Sequence, residues 1–138
     1  MKRLQEGMTT KMSTVARNWS MLAHSSACIF HLFLPSLGVL GPLIIYMFKR
    51  SDVEISYHAR QAIAFQLAIL LGTWTLAALG TALSCFLVGF VLYVPGLLLW
   101  VAGMVVPVIA ALRVNDDQPY QYPVTGHLVA RDPPRIAP

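Results

Sequence analysis

The sequence predicts an all-α integral membrane protein, a bundle of four helical segments with both termini in the cytoplasm. Three observations predict it: few charges, two long uncharged runs, and basic residues gathered on one side of the membrane. Of the 138 residues, 57% are apolar and 12% are charged, about half the charge content of a soluble domain. No charged residue occurs in 18–48 or in 61–112. A water-soluble fold is thereby excluded, because the second run is more than twice the roughly 20 residues that cross a bilayer core.

The first uncharged run is interrupted near its middle by residues that break helices. Pro35 and the pair Gly41-Pro42 remove or weaken helical hydrogen bonds. We therefore predict a helical hairpin, with a first segment near 15–34 and a short second segment near 41–50. At 1.5 Å per residue the second segment is only about 15 to 20 Å long, so a re-entrant segment is the alternative to a full crossing.

The third and fourth segments fill the second uncharged run, at about 58–84 and 89–114. With four segments, the N-terminal tail, the loop before the third segment and the C-terminal tail share one face. These regions hold all ten basic residues: Lys2, Arg3, Lys11, Arg17, Lys49, Arg50, Arg60, Arg113, Arg131 and Arg135. Because Lys and Arg stay on the cytoplasmic side, we predict cytoplasmic termini and a multi-pass protein of the bacterial inner membrane.

The predicted bundle occupies residues 15–114 and is flanked by two tails. The N-terminal tail, 1–14, has apolar residues at intervals of three or four and is a candidate interfacial helix. The C-terminal tail, 115–138, contains five prolines and is predicted to be extended. Neither tail has room for a nucleotide-binding or hydrolase fold. Membrane orientation accounts for the basic residues, so no nucleic-acid partner is expected.

Small residues at regular intervals predict where the helices touch, because helices in lipid associate by close backbone approach. The interval is seven residues in the fourth segment and four in the third. The predicted packing residues are Gly89, Gly96, Gly103 and Ala110 in the fourth segment and Ala64, Ala68 and Gly72 in the third. Lining of a pore by these residues is the alternative to packing, which is the commoner role of such stripes.

His24, Cys28 and His31 lie on one face of the first segment, at a spacing that resembles a set of ligands. A haem held by two histidines needs them on opposite sides of the macrocycle. A metal centre needs further ligands, which the other segments do not obviously supply. We therefore predict no cofactor, no metal centre and no catalytic residue.

Depth along the helices predicts a polar cluster near their cytoplasmic ends. His24 lies seven residues past Arg17, about 10 Å inward, and Gln66 lies six residues past Arg60, about 9 Å inward. The predicted cluster is Asn18, His24, His58 and Gln66. Fixing the register of the helices is the favoured role of the cluster, and proton transfer is the alternative.

The C-terminal tail has no core of its own, so its order requires a partner. We predict that it lies along a neighbouring protein in a larger membrane protein complex. The predicted contact residues are Pro119, Tyr120, Tyr122 and Pro123. The other predicted partner is the lipid bilayer itself.

Four short stretches carry a resemblance to a known family. They are Arg17-Asn18-Trp19 with His24, Gly41 to Tyr46, His58 to Ala62 with Phe65-Gln66, and Ala110-Ala111 with Asn115, Pro119-Tyr120 and Tyr122-Pro123. Together they resemble a family of small bacterial membrane proteins of unknown function, related to the channel-forming component of the plastid inner-envelope protein translocon. The resemblance implies a four-helix membrane bundle and brings no catalytic residues.

The sequence therefore favours a non-enzymatic accessory or scaffold subunit that packs against a larger membrane protein complex. Protein translocation or conduction of a small solute is the alternative, and it rests on the resemblance to the plastid translocon. A membrane enzyme or electron carrier is disfavoured, because the predicted spans contain no pair of carboxylates and no credible set of metal ligands.

Overall fold

The fold is known from a computed structural model, which describes residues 12–33, 35–86, 89–118 and 120–129. It contains four α-helices: α1, Thr14–Phe33; α2, Leu40–Lys49; α3, Val53–Leu83; and α4, Gly89–Asn115. Short 3-10 turns follow α1 and α3, and a third lies in the C-terminal tail. The predicted all-α fold with four helices is confirmed. The candidate interfacial helix of the N-terminal tail lies almost wholly outside the described residues.

Two of the four helices are long and apolar enough to cross a membrane. Within the described residues these are α3, with 31 residues, and α4, with 27. Their lengths are about 46 Å and 40 Å, against a hydrocarbon core of about 30 Å. The ten residues of α2 extend only about 15 Å, too short for a crossing. The re-entrant alternative for the second segment therefore agrees with its observed length.

The α1–α2 hairpin packs beside only the first half of α3. His24 of α1 contacts His58 near the start of α3. Gly38, in the turn between α1 and α2, lies against the side chain of Gln66 near the middle of α3. From Gln66, α3 continues for about 25 Å to its end at Leu83. Beyond the hairpin, α3 and α4 therefore continue as a pair of helices.

The start of α3 is fixed by a side-chain cap. The Asp52 carboxylate accepts hydrogen bonds from the backbone N–H groups of Glu54 and Ile55, both at 3.1 Å. These groups have no partner within the helix, and an acidic cap also interacts favourably with the positive end of the helix dipole. The cap therefore sets the point at which the chain turns from α2 into the long helix.

The predicted stripe of small residues on α4 lies inside the bundle. Gly89, Gly96, Gly103 and Ala110 are all buried. At Gly89 a side chain would collide with the backbone of Gly80 in α3. This close backbone approach stabilises the α3–α4 pair at the end where no other helix of the described residues accompanies it.

The predicted packing residues of α3 are placed less uniformly. Gly72 faces Leu99 of α4, Ala64 is half-buried, and Ala68 is exposed. The reason is the helical period, because the buried side of α3 passes through Gln66 and Ile69. Ala68 lies about 200° around the helix from Gln66, on its outer side.

Alanine substitutions at two glycines of α4 distinguish the effect of close packing on stability from the effect of helix propensity. We expect Gly89→Ala to lower the melting temperature in detergent by roughly 5 to 10 °C, because backbone atoms must move to accept the new Cβ. The matched control is Gly96→Ala, whose Cβ would lie 3.7 Å from the nearest atom, an ordinary contact. Equal melting temperatures for the two variants would contradict the close α3–α4 approach.

Candidate functional site: a buried histidine–tyrosine cluster

The C-terminal tail folds back onto the bundle and inserts Tyr122 into it. The Tyr122 side chain is 2% exposed, and its ring stacks on Phe65 of α3 with 4.5 Å between the ring centres. Its hydroxyl lies 2.9 Å from Nδ1 of His24. Its backbone N–H donates to Oε1 of Gln61 at 3.3 Å. A single residue of the tail therefore joins α1 and α3.

His24 links Tyr122 to a second histidine. Its ring is fully buried, and Nε2 lies 3.2 Å from Nδ1 of His58. With the proton on Nε2, His24 accepts from Tyr122 and donates to His58; with the proton on Nδ1, both directions reverse. Each neutral form of His24 thus satisfies both ring nitrogens. We call His24, His58, Gln61 and Tyr122 the histidine–tyrosine cluster.

Gln61 holds the tail with both ends of its amide. The side chain is fully buried; Oε1 accepts from the tail, and Nε2 donates to the Tyr57 hydroxyl at 2.7 Å. The Tyr57 ring in turn packs against His58, with 5.4 Å between ring centres. A buried amide left without partners is costly, so Gln61 favours the docked tail.

The tyrosine at the centre of the cluster stays protonated. Burial raises the pKa of the Tyr122 hydroxyl well above its usual range, and the neighbouring Tyr120 hydroxyl raises it further. The hydroxyl therefore carries no negative charge at neutral pH. The hydrogen bond between Tyr122 and a neutral His24 therefore joins two uncharged side chains.

An ion pair fastens the beginning of the tail to α1. Nη1 of Arg17 lies 3.1 Å from Oδ2 of Asp117, and each side chain is about one quarter exposed. Asp117 has a backbone φ of 54°, in the left-handed region that Asp tolerates better than most residues. The chain therefore leaves α4 through a sharp turn that directs the tail back along the bundle.

A second polar layer lies deeper in the bundle, and its side chains form hydrogen bonds with backbone carbonyls of α4. Pro107 has no N–H to bond the carbonyl of Gly103, four residues earlier. Nε2 of Gln66 donates to that carbonyl at 3.0 Å. Nε2 of His31 lies 3.1 Å from the carbonyl oxygen of Trp100, one turn away on α4. A side chain of α3 thus replaces the donor that the proline removes.

The residues of the predicted polar cluster are divided between these layers. His24 and His58 come together as hydrogen-bonded neighbours. Gln66 lies in the deeper layer, and Asn18 is exposed on α1. Distances from Arg17 and Arg60 predicted a common level for His24 and Gln66, whereas His24 lies level with His58 and Gln66 lies level with Gly103 of α4.

The predicted partner residues of the tail lie in different surroundings. Tyr122 is enclosed by the protein's own helices, while Tyr120 is half-buried and packs against His24 and Tyr122. Pro123 is exposed, and Pro119 lies outside the described residues. The observed neighbour of Tyr122 is therefore the bundle itself, and contact of the tail with another protein stays a prediction.

Sequence reasoning did not single out Gln61 or the pair of Arg17 and Asp117. Gln61 did carry a signal, because it is a polar residue at the start of the long uncharged run. The ion pair joins residues 100 positions apart and has no local signal. Among the described residues, no group of three His, Cys, Asp or Glu side chains is placed to hold a metal ion.

Removing one hydroxyl tests the attachment of the tail. We expect Tyr122→Phe to lower the free energy of unfolding by about 1 to 3 kcal/mol, because a fully buried nitrogen of His24 loses its partner while the stack on Phe65 remains. Faster hydrogen exchange over 120–129 should accompany the change. The control is Tyr93→Phe, whose hydroxyl pairs with Thr81 at an exposed position. Equal exchange in the wild type and Tyr122→Phe would contradict the assignment.

Comparison with known proteins identifies the family of this chain. The sequence model of the MamF/MmsF family, described as the magnetosome magnetite crystal formation protein family, matches residues 15–129. The chain therefore belongs to this family. No match was found among the curated proteins or the solved structures with which the chain was compared.

The family corrects two expectations from the sequence. The resemblance to relatives of the plastid translocon is wrong, because the matching family is that of magnetite crystal formation. The proposed accessory subunit and its translocation alternative are wrong for the same reason. The family consists of magnetosome membrane proteins and is not known as a family of enzymes. Its membrane is that of the magnetosome rather than specifically the cytoplasmic membrane.

Proposed function

We propose that this chain, as a member of the magnetosome family, acts in the magnetosome membrane during the formation of magnetite crystals. The observation that carries the proposal is the extent of the family match, 15–129. It includes all four helices and the docked tail with Tyr122. The histidine–tyrosine cluster thus falls within the matched region, and we propose that it maintains the fold that this function requires.

The proposed orientation places both termini in the cytoplasm and the turn between α3 and α4 in the magnetosome lumen. The described basic residues support it, because they gather at one end of the bundle. Arg17 pairs with Asp117 after α4, and Nζ of Lys49 lies 4.7 Å from the ring centre of Trp19 in α1. The residues between α3 and α4, 84–88, carry no charge. This distribution fits the retention of basic residues in the cytoplasm.

The proposed role is tested by replacing the protein in a bacterium that forms magnetite. Deletion of its gene should reduce the mean crystal diameter in electron micrographs, and the wild-type chain should restore it. Tyr93→Phe should also restore it, whereas a double variant, Tyr122→Phe with Gln61→Ala, should restore it only in part, because the tail loses its buried hydrogen bonds. Unchanged crystals after deletion, or a tagged chain absent from purified magnetosome membranes, would contradict the proposal.

The proposed orientation has a separate test in intact magnetosomes. Single cysteines at Gln118 and at Phe86, in a chain with Cys28→Ser and Cys85→Ser, should differ in labelling by a thiol reagent that does not cross membranes. Residue 118 should react from outside, and residue 86 only after the membrane is opened, because the two positions lie at opposite ends of the long helices. Labelling of residue 86 in sealed magnetosomes would contradict the proposed orientation and indicate the opposite one.

A further inference from the structure

The segment after Tyr122 has a composition that its contacts with the bundle do not explain. Residues 118–130 contain no Asp, Glu, Lys or Arg, although the positions on either side are charged. Within this segment Val124 is 82% exposed and Leu128 is 69% exposed. Two large apolar side chains therefore point away from the protein on a tail that would otherwise lie in water.

The anchor of the tail sets its depth. Tyr122 belongs to the same apolar cluster as Phe65, Ile69 and Ala110. Phe65 and Ile69 follow Arg60, and Ala110 precedes Arg113, so all three lie within the uncharged run 61–112. The tail has therefore passed the level of the last basic residues and lies beside helices at the depth where lipid begins.

The backbone of the segment is arranged for surroundings that are poor in water. The N–H of Tyr122 donates to Gln61. The N–H groups of Gly126, Leu128 and Val129 donate to carbonyls three or four residues earlier, which gives a compact turn that includes a 3-10 helix. Polar backbone groups near the hydrocarbon core need such partners within the protein.

Val124 has a backbone conformation that requires an explanation. Its φ is 69°, and a β-branched residue in the left-handed region is a genuine outlier. The conformation turns the valine outward from the anchored Tyr122, to 82% exposure. Exposure of the side chain to water offsets none of the free energy that the strained backbone costs. Transfer of the side chain from water into lipid is favourable and offsets part of that cost.

We propose that residues 123–129 form a membrane-binding turn that inserts Val124 and Leu128 into the interface of the lipid leaflet on the side of the termini. The bilayer is the occupant because the 3-10 helix of the turn contacts α3, and because Tyr122, which anchors the turn, packs among residues of the uncharged run 61–112. Tyr122 sets the depth, and the exposed side chains make the contact. This inference depends on membrane embedding and is independent of the role in magnetite formation.

Depth-dependent quenching tests the membrane-binding turn on the full chain in lipid nanodiscs. Single cysteines replace Val124 or Leu128 in a chain with Cys28→Ser and Cys85→Ser, and each carries a small environment-sensitive fluorophore. The aqueous control is Gln118→Cys, an exposed residue of the same tail, and the deep control is Leu97→Cys, 60% exposed on α4. Two kinds of quencher are compared: iodide in water, and lipids with a spin label at a shallow or a deep carbon of the acyl chain.

The expected result is that fluorophores at 124 and 128 are quenched more strongly by the shallow label than by the deep one. Quenching by iodide should be about threefold weaker than at 118, because the interface excludes the ion. Iodide quenching equal to that at 118 would overturn the proposal. Protection that appears only when the ratio of protein to lipid is raised would also overturn it, in favour of a second copy as the occupant. Leu128 has a negative φ, so it gives a reading that is free of the strain at Val124.

Discussion

The structure depends on one constraint: polar groups at the depth of a lipid bilayer must find partners within the protein. Pro107 removes a donor from α4, and Gln66 of α3 supplies another one to the carbonyl of Gly103. Nearer the end of the bundle where the basic residues gather, both nitrogens of His24 are bonded, one to Tyr122 and one to His58. Gln66 and His24 are therefore also contacts between elements, and their hydrogen bonds help to determine how the helices and the tail are arranged.

The same constraint explains why the tail belongs to the fold. The imidazole of His24 faces the position where the tail arrives, and Gln61 offers an acceptor to its backbone. Without the tail, two fully buried polar side chains would lose partners. The match to the magnetite crystal formation family reaches residue 129, so the matched unit includes this docked segment as well as the four helices. The tail is part of the folded core, because Tyr122 supplies hydrogen-bond partners to the buried His24 and Gln61.

Much of the fold follows from local properties of the sequence, whereas the site does not. The uncharged run 61–112 predicts α3 and α4, and the seven-residue spacing predicts the buried face of α4. Distances from Arg17 and Arg60 did not predict which polar residues share a layer, because His24 lies level with His58 and not with Gln66. The contact between His24 and Tyr122 joins residues 98 positions apart, and the tail has no periodicity from which it could be inferred. The family was misjudged because the stretches that carried the resemblance are short, and a resemblance at the level of the fold does not establish a function.

The unequal lengths of the helices have a consequence for the surrounding lipid. Among the described residues, four helices and the tail lie at the level of His24 and His58, whereas beyond Gly38 only α3 and α4 continue. The molecule is therefore a wedge, with a larger cross-sectional area in one leaflet than in the other. In the proposed orientation the broad end occupies the cytoplasmic leaflet. Such a shape is accommodated with least lipid deformation where that leaflet forms the convex side of a strongly curved bilayer.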